Sequence, residues 1–287
     1  MKWYYPILAF PIYLLFVLPL RVLYVLSSGL YVLLYYIVKY RRNVVAQNLK
    51  NSFPDKSDKE LKQIEKEYYK HMVDVIIETL KLATFSKNEL HKRMRFTNVE
   101  FLNKYSNRPF LFVLGHQGNW EWSGPAFDTL NFAPLYGIYH PLSNAFFDWF
   151  MIKIRSRKGM TLVSMQQTFR KANELKDKFS ILAFIADQTP MPESAYWVNF
   201  LHQETPVFVG TEKIAKRYNF PVVYVSQKKV KRGYYETTFY ELTSNSSCTP
   251  DGWITAEFMK RLEHDIQNQP AYWLWSHRRW KHKRAIN

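Results

Sequence analysis

The sequence has one cysteine, Cys248, among its 287 residues, so no intrachain disulfide can form. Such scarcity fits a reducing compartment, and we expect Cys248 to be a free thiol in a loop. Cysteine and histidine nowhere cluster at metal-ligand spacing, and no nucleotide-binding motif, internal repeat or low-complexity segment is present. We therefore expect neither a disulfide-stapled fold nor a metal site, in a chain long enough for one large domain or two small ones.

Acidic residues are also scarce, with 24 Asp and Glu against 40 Lys and Arg, for a formal net charge of +16. This balance suits an anionic partner, namely nucleic acid, anionic lipid or an acidic protein. Aromatic residues make up 17% of the chain, and Tyr and Trp favour membrane interfaces. The combination favours a membrane surface, although proteins that bind single-stranded nucleic acid share it.

Charge is almost absent from the N-terminus, where residues 3–20 and 22–38 are uncharged and separated only by Arg21. A spanning helix needs about 20 apolar residues, so each half is borderline. Three interpretations remain open: one tilted or kinked span, a shallow hairpin with Arg21 near its tip, or two interfacial helices. A cleaved signal peptide and a buried soluble helix are less favoured.

The basic residues Lys39, Arg41 and Arg42 follow the apolar segment. Basic clusters at this position favour the cytoplasmic side and anionic headgroups. We therefore predict that residues 1–40 form a membrane anchor and that residues 41–287 form a catalytic domain in the cytoplasm, with Arg41 and Arg42 at the headgroups.

Apolar strand-like runs alternate with helical patterns along the rest of the chain, which predicts an α/β fold with a mixed, mostly parallel central sheet flanked by helices. A capping box, Ser57 to Glu60, begins a helix that extends to Leu80, and we expect Glu78 on it to be solvated. The sequence predicts strands over 110–114, 181–186 and 221–226, an antiparallel edge strand over 234–242, and helices over 144–158, 168–178, 209–218 and 255–267.

Two of these strands lead directly into polar residues. Strand 110–114 is followed by Gly115 and His116, and strand 181–186 by Asp187 and Gln188. Because functional groups in such sheets gather beyond the carboxyl ends of the strands, we expect these side chains to face one crevice.

The stretch GHQGNWEW, residues 115–122, carries the chemistry. An imidazole held by a carboxylate is a general base. If a helix begins near Asn119, Glu121 can reach back to one nitrogen of His116 and fix its tautomer. Glycines such as Gly118 allow a substrate to approach the backbone closely.

This stretch is similar to the His-x-x-x-x-Asp/Glu signature of glycerolipid-type acyltransferases, and more closely to the late acyltransferases of lipid A biosynthesis. The resemblance covers nearly the whole chain. Its further blocks are Arg41-Arg42, Asn48-Leu49, Phe53-Pro54, 157–159, Asp187-Gln188, Phe200, 205–210, 221–223, Gln269-Pro270 and 275–281. The chain departs from the family pattern in a longer segment, 191–199, and at 201–204, where the family carries glycine.

The resemblance implies acyl transfer from an acyl-carrier-protein thioester to a hydroxyl on a membrane glycolipid, here a lipid A precursor at the bacterial inner membrane. It implies that His116 is the base and that Glu121 orients it. Oxyanion donors would be backbone N–H groups at Gly118 and Asn119, or Arg157, which could instead grip a phosphate or be a solvated surface residue. No metal or other cofactor is needed, because the thioester is already activated.

Five further residues complete the predicted site. Asp187 would position Arg157 or a substrate hydroxyl, or cap a helix, and Gln188 lies beside it. The basic C-terminal segment, 278–284, interleaved with tryptophans, would contact headgroups or sugar phosphates through His277, Arg278 and Arg279.

Two alternatives stay open. One is the same chemistry on another acceptor, such as an aminolipid, a phosphosugar lipid or a polyene, which the segment 191–199 motivates. The other is a basic nucleic-acid or membrane-binding protein without catalysis. The uncharged N-terminus and the pair His116 and Glu121 argue against the latter, so we expect no nucleic-acid partner.

Overall fold

The structure is a computed structural model that describes residues 2–284. Met1 and residues 285–287, at the outer ends of the two predicted domains, lie outside the described residues. The helices are α1 (Tyr5–Val17), α2 (Leu20–Val32), α3 (Arg42–Ser52), α4 (Asp58–Lys81), α5 (Lys87–Arg93), α6 (Trp120–Asp128), α7 (Ala145–Arg155), α8 (Thr168–Leu175), α9 (Gly210–Tyr218) and α10 (Trp253–Asn268).

The strands lie mainly in one central sheet. They are β1 (Met94–Phe96), β2 (Phe110–Leu114), β3 (Leu135–Tyr139), β4 (Thr161–Ser164), β5 (Ile181–Ile185), β6 (Ala195–Phe200), β7 (Gln203–Phe208), β8 (Val222–Lys231) and β9 (Tyr234–Thr243). The order is β1-β9-β8-β2-β5-β3-β4, and β6 pairs with β7 separately. Only the β8–β9 pairing in this sheet is antiparallel. The predicted mixed, mostly parallel α/β fold is therefore confirmed.

Strand β2 lies in the middle of the sheet, and all five of its residues are buried. Alternate side chains of a strand point to opposite faces. Leu111 and Val113 pack with α9 and α10 on one face, while Phe110, Phe112 and Leu114 pack with α6 and the segment 99–105 on the other. Helices thus cover both faces, and the chemistry is left to the carboxyl edge of the sheet.

The apolar N-terminus forms two helices with a break at Leu18-Pro19. Proline at position 19 lacks the N–H that a continuous helix would need. A turn of π-helix, Leu33–Ile37, extends α2, and the segment Leu20–Ile37 is long and apolar enough to cross a membrane by length and composition alone. One face of α1 and α2 packs on α4 and α7, while Ile7, Phe10, Leu14, Val25 and Val32 on the other sides are exposed.

Most of the predicted elements are present. The capping box at Ser57 and Glu60 begins α4, and Cys248 is an exposed free thiol. The predicted edge strand, β9, is antiparallel to β8 but is not at the edge, because the three residues of β1 pair along its other side. The segment 191–199 mostly forms β6 of a hairpin whose two-residue turn, Leu201-His202, has φ angles of 50° and 62°.

Candidate active site

His116 and Asp187 meet at the carboxyl ends of two adjacent parallel strands, β2 and β5. Nδ1 of His116 lies 2.5 Å from Oδ1 of Asp187, and the backbone N–H of His116 donates to Oδ2 at 2.7 Å. The prediction that the polar residues after these two strands face one crevice is therefore confirmed. An ionised carboxylate only accepts hydrogen bonds, so Nδ1 carries the imidazole proton and Nε2 keeps its lone pair.

Asp187 is held in its ionised form by the groups around it. Its side chain is 2% exposed, and the indole N–H of Trp273 donates to Oδ2 at 2.7 Å. Burial alone raises the pKa of Asp187, but the His116 ring, the His116 backbone N–H and Trp273 outweigh it and bring the pKa to about 2. Asp187 is thus an acceptor at any physiological pH, which fixes the tautomer of His116.

Glycine at position 115 permits this contact. A Cβ atom there would lie 2.6 Å from Cδ1 of Leu262 on α10 and 3.0 Å from Oδ2 of Asp187. Any side chain at position 115 would therefore displace the side chain of Leu262 or the carboxylate of Asp187. Gly118 has a φ of 63°, a left-handed conformation that favours glycine. It turns the chain from the strand into α6.

The other nitrogen of His116 faces a polar neighbour. Nε2 lies 3.3 Å from the amide nitrogen of Gln188, whose N–H can donate to the free lone pair. The ring of Trp120 packs edge-on against the imidazole, with 5.1 Å between centroids. The His116 side chain remains 13% exposed.

Glu121 binds Arg155, and this corrects the predicted geometry. Arg155 donates from Nε to Oε2 at 2.8 Å and from Nη2 to Oε1 at 2.6 Å, a bidentate pair. The prediction that Glu121 fixes the His116 tautomer is therefore wrong, because Asp187 occupies Nδ1. Helix α6 does begin where predicted, with Asn119 as its N-cap, but the guanidinium of Arg155 at the end of α7 binds the carboxylate of Glu121. A catalytic role for Glu121 stays a prediction.

The Arg155–Glu121 pair is a strong one. Burial lowers the pKa of Arg155, but the carboxylate of Glu121 more than compensates, so the pKa lies above its ordinary value. The side chains are 23% and 13% exposed. A bidentate, half-buried pair of this kind holds a fixed geometry.

Of the predicted oxyanion donors in the turn, the backbone N–H of Gly118 is already bonded, and a role for the backbone N–H of Asn119 stays a prediction. The N–H of Gly118 donates to the carbonyl of Tyr272 at 2.9 Å. The side chain of Asn119 is 0% exposed. Its Oδ1 caps α6 by accepting from the N–H of Trp122 at 2.9 Å, and its Nδ2 donates to Glu78 at 2.6 Å. These two groups therefore shape the turn instead of facing a substrate.

The stretch 272–275, just before the basic segment 278–284, is part of the site. Besides Tyr272 and Trp273, it contributes Trp275, whose side chain is 0% exposed. The side-chain amide of Asn48 on α3 donates to the carbonyl of Trp275 at 2.9 Å. Trp273 and Trp275 form the wall behind Asp187.

The predicted headgroup residues are divided between surface and interior. Arg41 and Arg278 are exposed, whereas Arg42 stacks on Tyr35 and pairs with Glu65 at 3.2 Å. Arg279 is 0% exposed and donates to the carbonyl of Pro206 at 2.6 Å. Headgroup binding by Arg279 does not fit this location, and burial lowers its pKa to about 10.

His277 and Arg157 have other partners. Nε2 of His277 lies 3.1 Å from the hydroxyl of Thr189, and burial followed by the charge of Arg279 lowers the pKa of His277 to about 4. Arg157 is exposed and donates to the carbonyl of Phe85 at 3.0 Å. The predicted pairing of Asp187 with Arg157 is thus replaced by its pairing with His116.

Sequence reasoning missed several contributors. Glu78, expected to be solvated, is 0% exposed and bonds to Asn119. Arg155 lies two residues before the block that the resemblance identified, and Trp273 lies two residues before another. Their proximity to these blocks was the available signal. Within residues 2–284 no three His, Cys, Asp or Glu side chains are grouped so as to hold a metal ion.

The comparisons with known proteins agree with this arrangement. The family model described as "Bacterial lipid A biosynthesis acyltransferase" matches residues 2–282. The chain is 24% identical over 272 residues to the lipid A biosynthesis lauroyltransferase of Escherichia coli (strain K12), covering 92% of this chain and 87% of that protein. A strand-end histidine bonded to a buried carboxylate thus lies in a chain that the family model covers almost completely, and the protein belongs to the bacterial lipid A biosynthesis acyltransferase family.

Proposed function

We propose that this acyltransferase moves a fatty acyl chain from an acyl-carrier-protein thioester to a hydroxyl of a lipid A precursor, in a late, secondary acylation. The observation that carries the proposal is the imidazole of His116, bonded at Nδ1 to Asp187 and at Nε2 only to the amide N–H of Gln188 at 3.3 Å, in a member of the lipid A acyltransferase family. A group in this state takes up a proton from a hydroxyl.

The reaction follows from this geometry. Nε2 of His116 removes the proton of the acceptor hydroxyl as its oxygen attacks the thioester carbonyl. The carbonyl becomes an oxyanion, and when it re-forms, the C–S bond breaks and an ester remains. His116 then returns its proton to the departing thiolate. Asp187 stabilises the imidazolium that exists between these two proton transfers. General acid–base catalysis of this kind typically raises the rate about 10² to 10⁴-fold.

The oxyanion needs a donor close to the reacting atoms. The side-chain amide of Gln188 fits this role, because its nitrogen already lies 3.3 Å from Nε2. The Arg155–Glu121 pair places a fixed charge at the start of α6. We assign it to orienting the acceptor or its phosphate, which keeps Glu121 in the catalytic machinery by a different route.

The same proposal includes the location and partners. The net charge of +16 suits an acidic carrier protein and anionic headgroups, with Arg41 and Arg278 exposed to meet them. The exposed apolar sides of α1 and α2 suit lipid. We therefore propose that residues 1–40 anchor the enzyme in the bacterial inner membrane and that residues 41–287 act on its cytoplasmic side.

Purified full-length enzyme with a panel of acyl-carrier-protein and coenzyme A thioesters and of lipid acceptors, followed by mass spectrometry, tests the proposal. We expect an ester on a lipid A precursor, lost in His116→Ala and kept in the control His264→Ala, at an exposed position of α10. Full transfer by His116→Ala would contradict the mechanism. Transfer only to an aminolipid, a phosphosugar lipid or a polyene would contradict the proposal that the acceptor is a lipid A precursor.

A further inference from the structure

Glu78 has a carboxylate that three separate elements share. It is 0% exposed, and its Oε2 accepts from Nδ2 of Asn119 at 2.6 Å and from the hydroxyl of Tyr235 on β9 at 2.8 Å. Its Oε1 accepts from the hydroxyl of Tyr24 on α2 at 2.6 Å. The apolar N-terminal helix and the turn after His116 therefore bind the same side chain.

The neighbouring turns of α4 repeat this connection. His71, seven residues before Glu78 and so on the same side of the helix, has Nε2 3.0 Å from the carbonyl of Gly118. Asp74 accepts from the hydroxyl of Ser27 on α2 at 2.6 Å and from the guanidinium of Arg232. Helix α4 thus holds the turn 118–119 through two side chains and α2 through two, and Glu78 serves both.

We propose that Glu78 is a positioning residue that couples the seating of α2 to the geometry of the turn Gly118-Asn119 beside His116. The proposal deepens the proposed acyl transfer and rests on it. Asn119 caps α6 with its oxygen and binds Glu78 with its nitrogen, so a change at the carboxylate moves the turn that follows the base. Since α2 contributes one of three donors, lipid around α2 acts on the site through Tyr24.

Loss of the Tyr24 donor changes the carboxylate in a defined direction. A buried carboxylate that loses a partner favours its protonated form. Burial raises the pKa of Glu78 to about 7, and the bond from Tyr24 is the largest of the influences that lower it. The charged and titratable groups around Glu78 are Asp74 and His71 on α4, Lys229 and Arg232 on and after β8, Tyr235 on β9 and Tyr24 on α2.

All three donors need Glu78 as an acceptor, so its ionised form is the productive one. We therefore expect that Tyr24→Phe, which removes only the hydroxyl, lowers kcat about tenfold near neutral pH, as for one hydrogen bond to a charged group. KM changes little, and the acid limb of kcat against pH moves to higher pH. Tyr13→Phe on α1, outside the Glu78 cluster, is the matched control, and Glu78→Gln should lose kcat in the same way.

The experiment uses full-length enzyme in phospholipid nanodiscs with whichever acceptor the wild type acylates, so a wrong acceptor does not affect it. Hydrogen exchange of residues 115–123 by mass spectrometry is measured in parallel and needs no substrate. We expect faster exchange in Tyr24→Phe than in Tyr13→Phe. Unchanged exchange with an unchanged acid limb would overturn the proposal, whereas activity in His116→Ala would overturn only the general-base function.

Discussion

The indole N–H of Trp273, 86 residues after Asp187, and the imidazole of His116, 71 residues before it, bind the same carboxylate of Asp187. The carboxylate oxygens accept three hydrogen bonds in total, because the backbone N–H of His116 also donates to Oδ2. This arrangement fixes both the charge of the acid and the orientation of the base. It also gives the site a clear experimental signature.

Replacing Asp187 by Asn should lower kcat about 10³- to 10⁴-fold, because an amide can donate to Nδ1 and so stabilise the wrong tautomer. Initial rates of acyl transfer would measure this. Asp177→Asn, at an exposed position before β5, is the control and should keep full activity. A loss of less than tenfold in Asp187→Asn would mean that Asp187 does not orient the base.

Arg155→Lys should lower kcat/KM about tenfold, since lysine cannot reproduce a bidentate guanidinium–carboxylate pair. Glu121→Gln should have an effect of the same size if the two residues act as one unit. Arg170→Lys, in a pair whose side chains are 72% and 43% exposed, is the control and should be neutral. If Glu121→Gln were as inactive as His116→Ala while Arg155→Lys stayed active, Glu121 would act on the base directly.

Glu78 should make folding stability decrease as pH rises. Its pKa lies at about 7 in the folded protein and at 4.5 ordinarily, so the stabilisation is complete below pH 4.5 and is lost as pH passes 7. The change is roughly 1.4 kcal/mol per pH unit between these values.

His277 acts in the opposite direction. Its pKa is lowered from 6.5 to about 4, so its contribution to folding stability is present above pH 6.5 and is lost as pH falls toward 4.

The difference in unfolding free energy between wild type and Glu78→Gln, measured by urea denaturation from pH 5 to 8, isolates the contribution of Glu78. We expect the unfolding free energy of Glu78→Gln to increase relative to that of wild type as pH rises. A difference that is constant with pH would contradict the assignment.

His202→Gly should stabilise the protein by about 1 kcal/mol, because residue 202 has a φ of 62° that glycine adopts without steric cost. The position is exposed, so little packing is lost. Thermal unfolding would show a higher Tm. Asn199→Gly, at an exposed position in the adjoining strand β6, should lower Tm and serves as the opposite control. A lower Tm in His202→Gly would show that the turn needs its side chain.

The sequence could predict the sheet and the meeting of His116 with Asp187, because both follow apolar runs of strand length and parallel strands end at one edge. It could not assign the partner of His116. Glu121 is five residues away and Asp187 is 71, and the choice between them depends on Arg155, which binds Glu121 from a separate helix. The burial of Glu78 was likewise hidden, because its donors come from α2, β9 and the turn at Asn119, all distant in sequence.

The C-terminal wall of the site has a consequence for the folding pathway. The contact between Asp187 and Trp273 joins residues 86 apart, and that between Asn48 and Trp275 joins residues 227 apart. Closing loops of this length costs conformational entropy, which is offset only when the remaining native contacts form. Such contacts therefore tend to form late in folding. Helices and the β8–β9 hairpin can form while His116 still lacks its oriented acid. In a refolding time course, acyl transfer should therefore appear after helical circular dichroism has recovered.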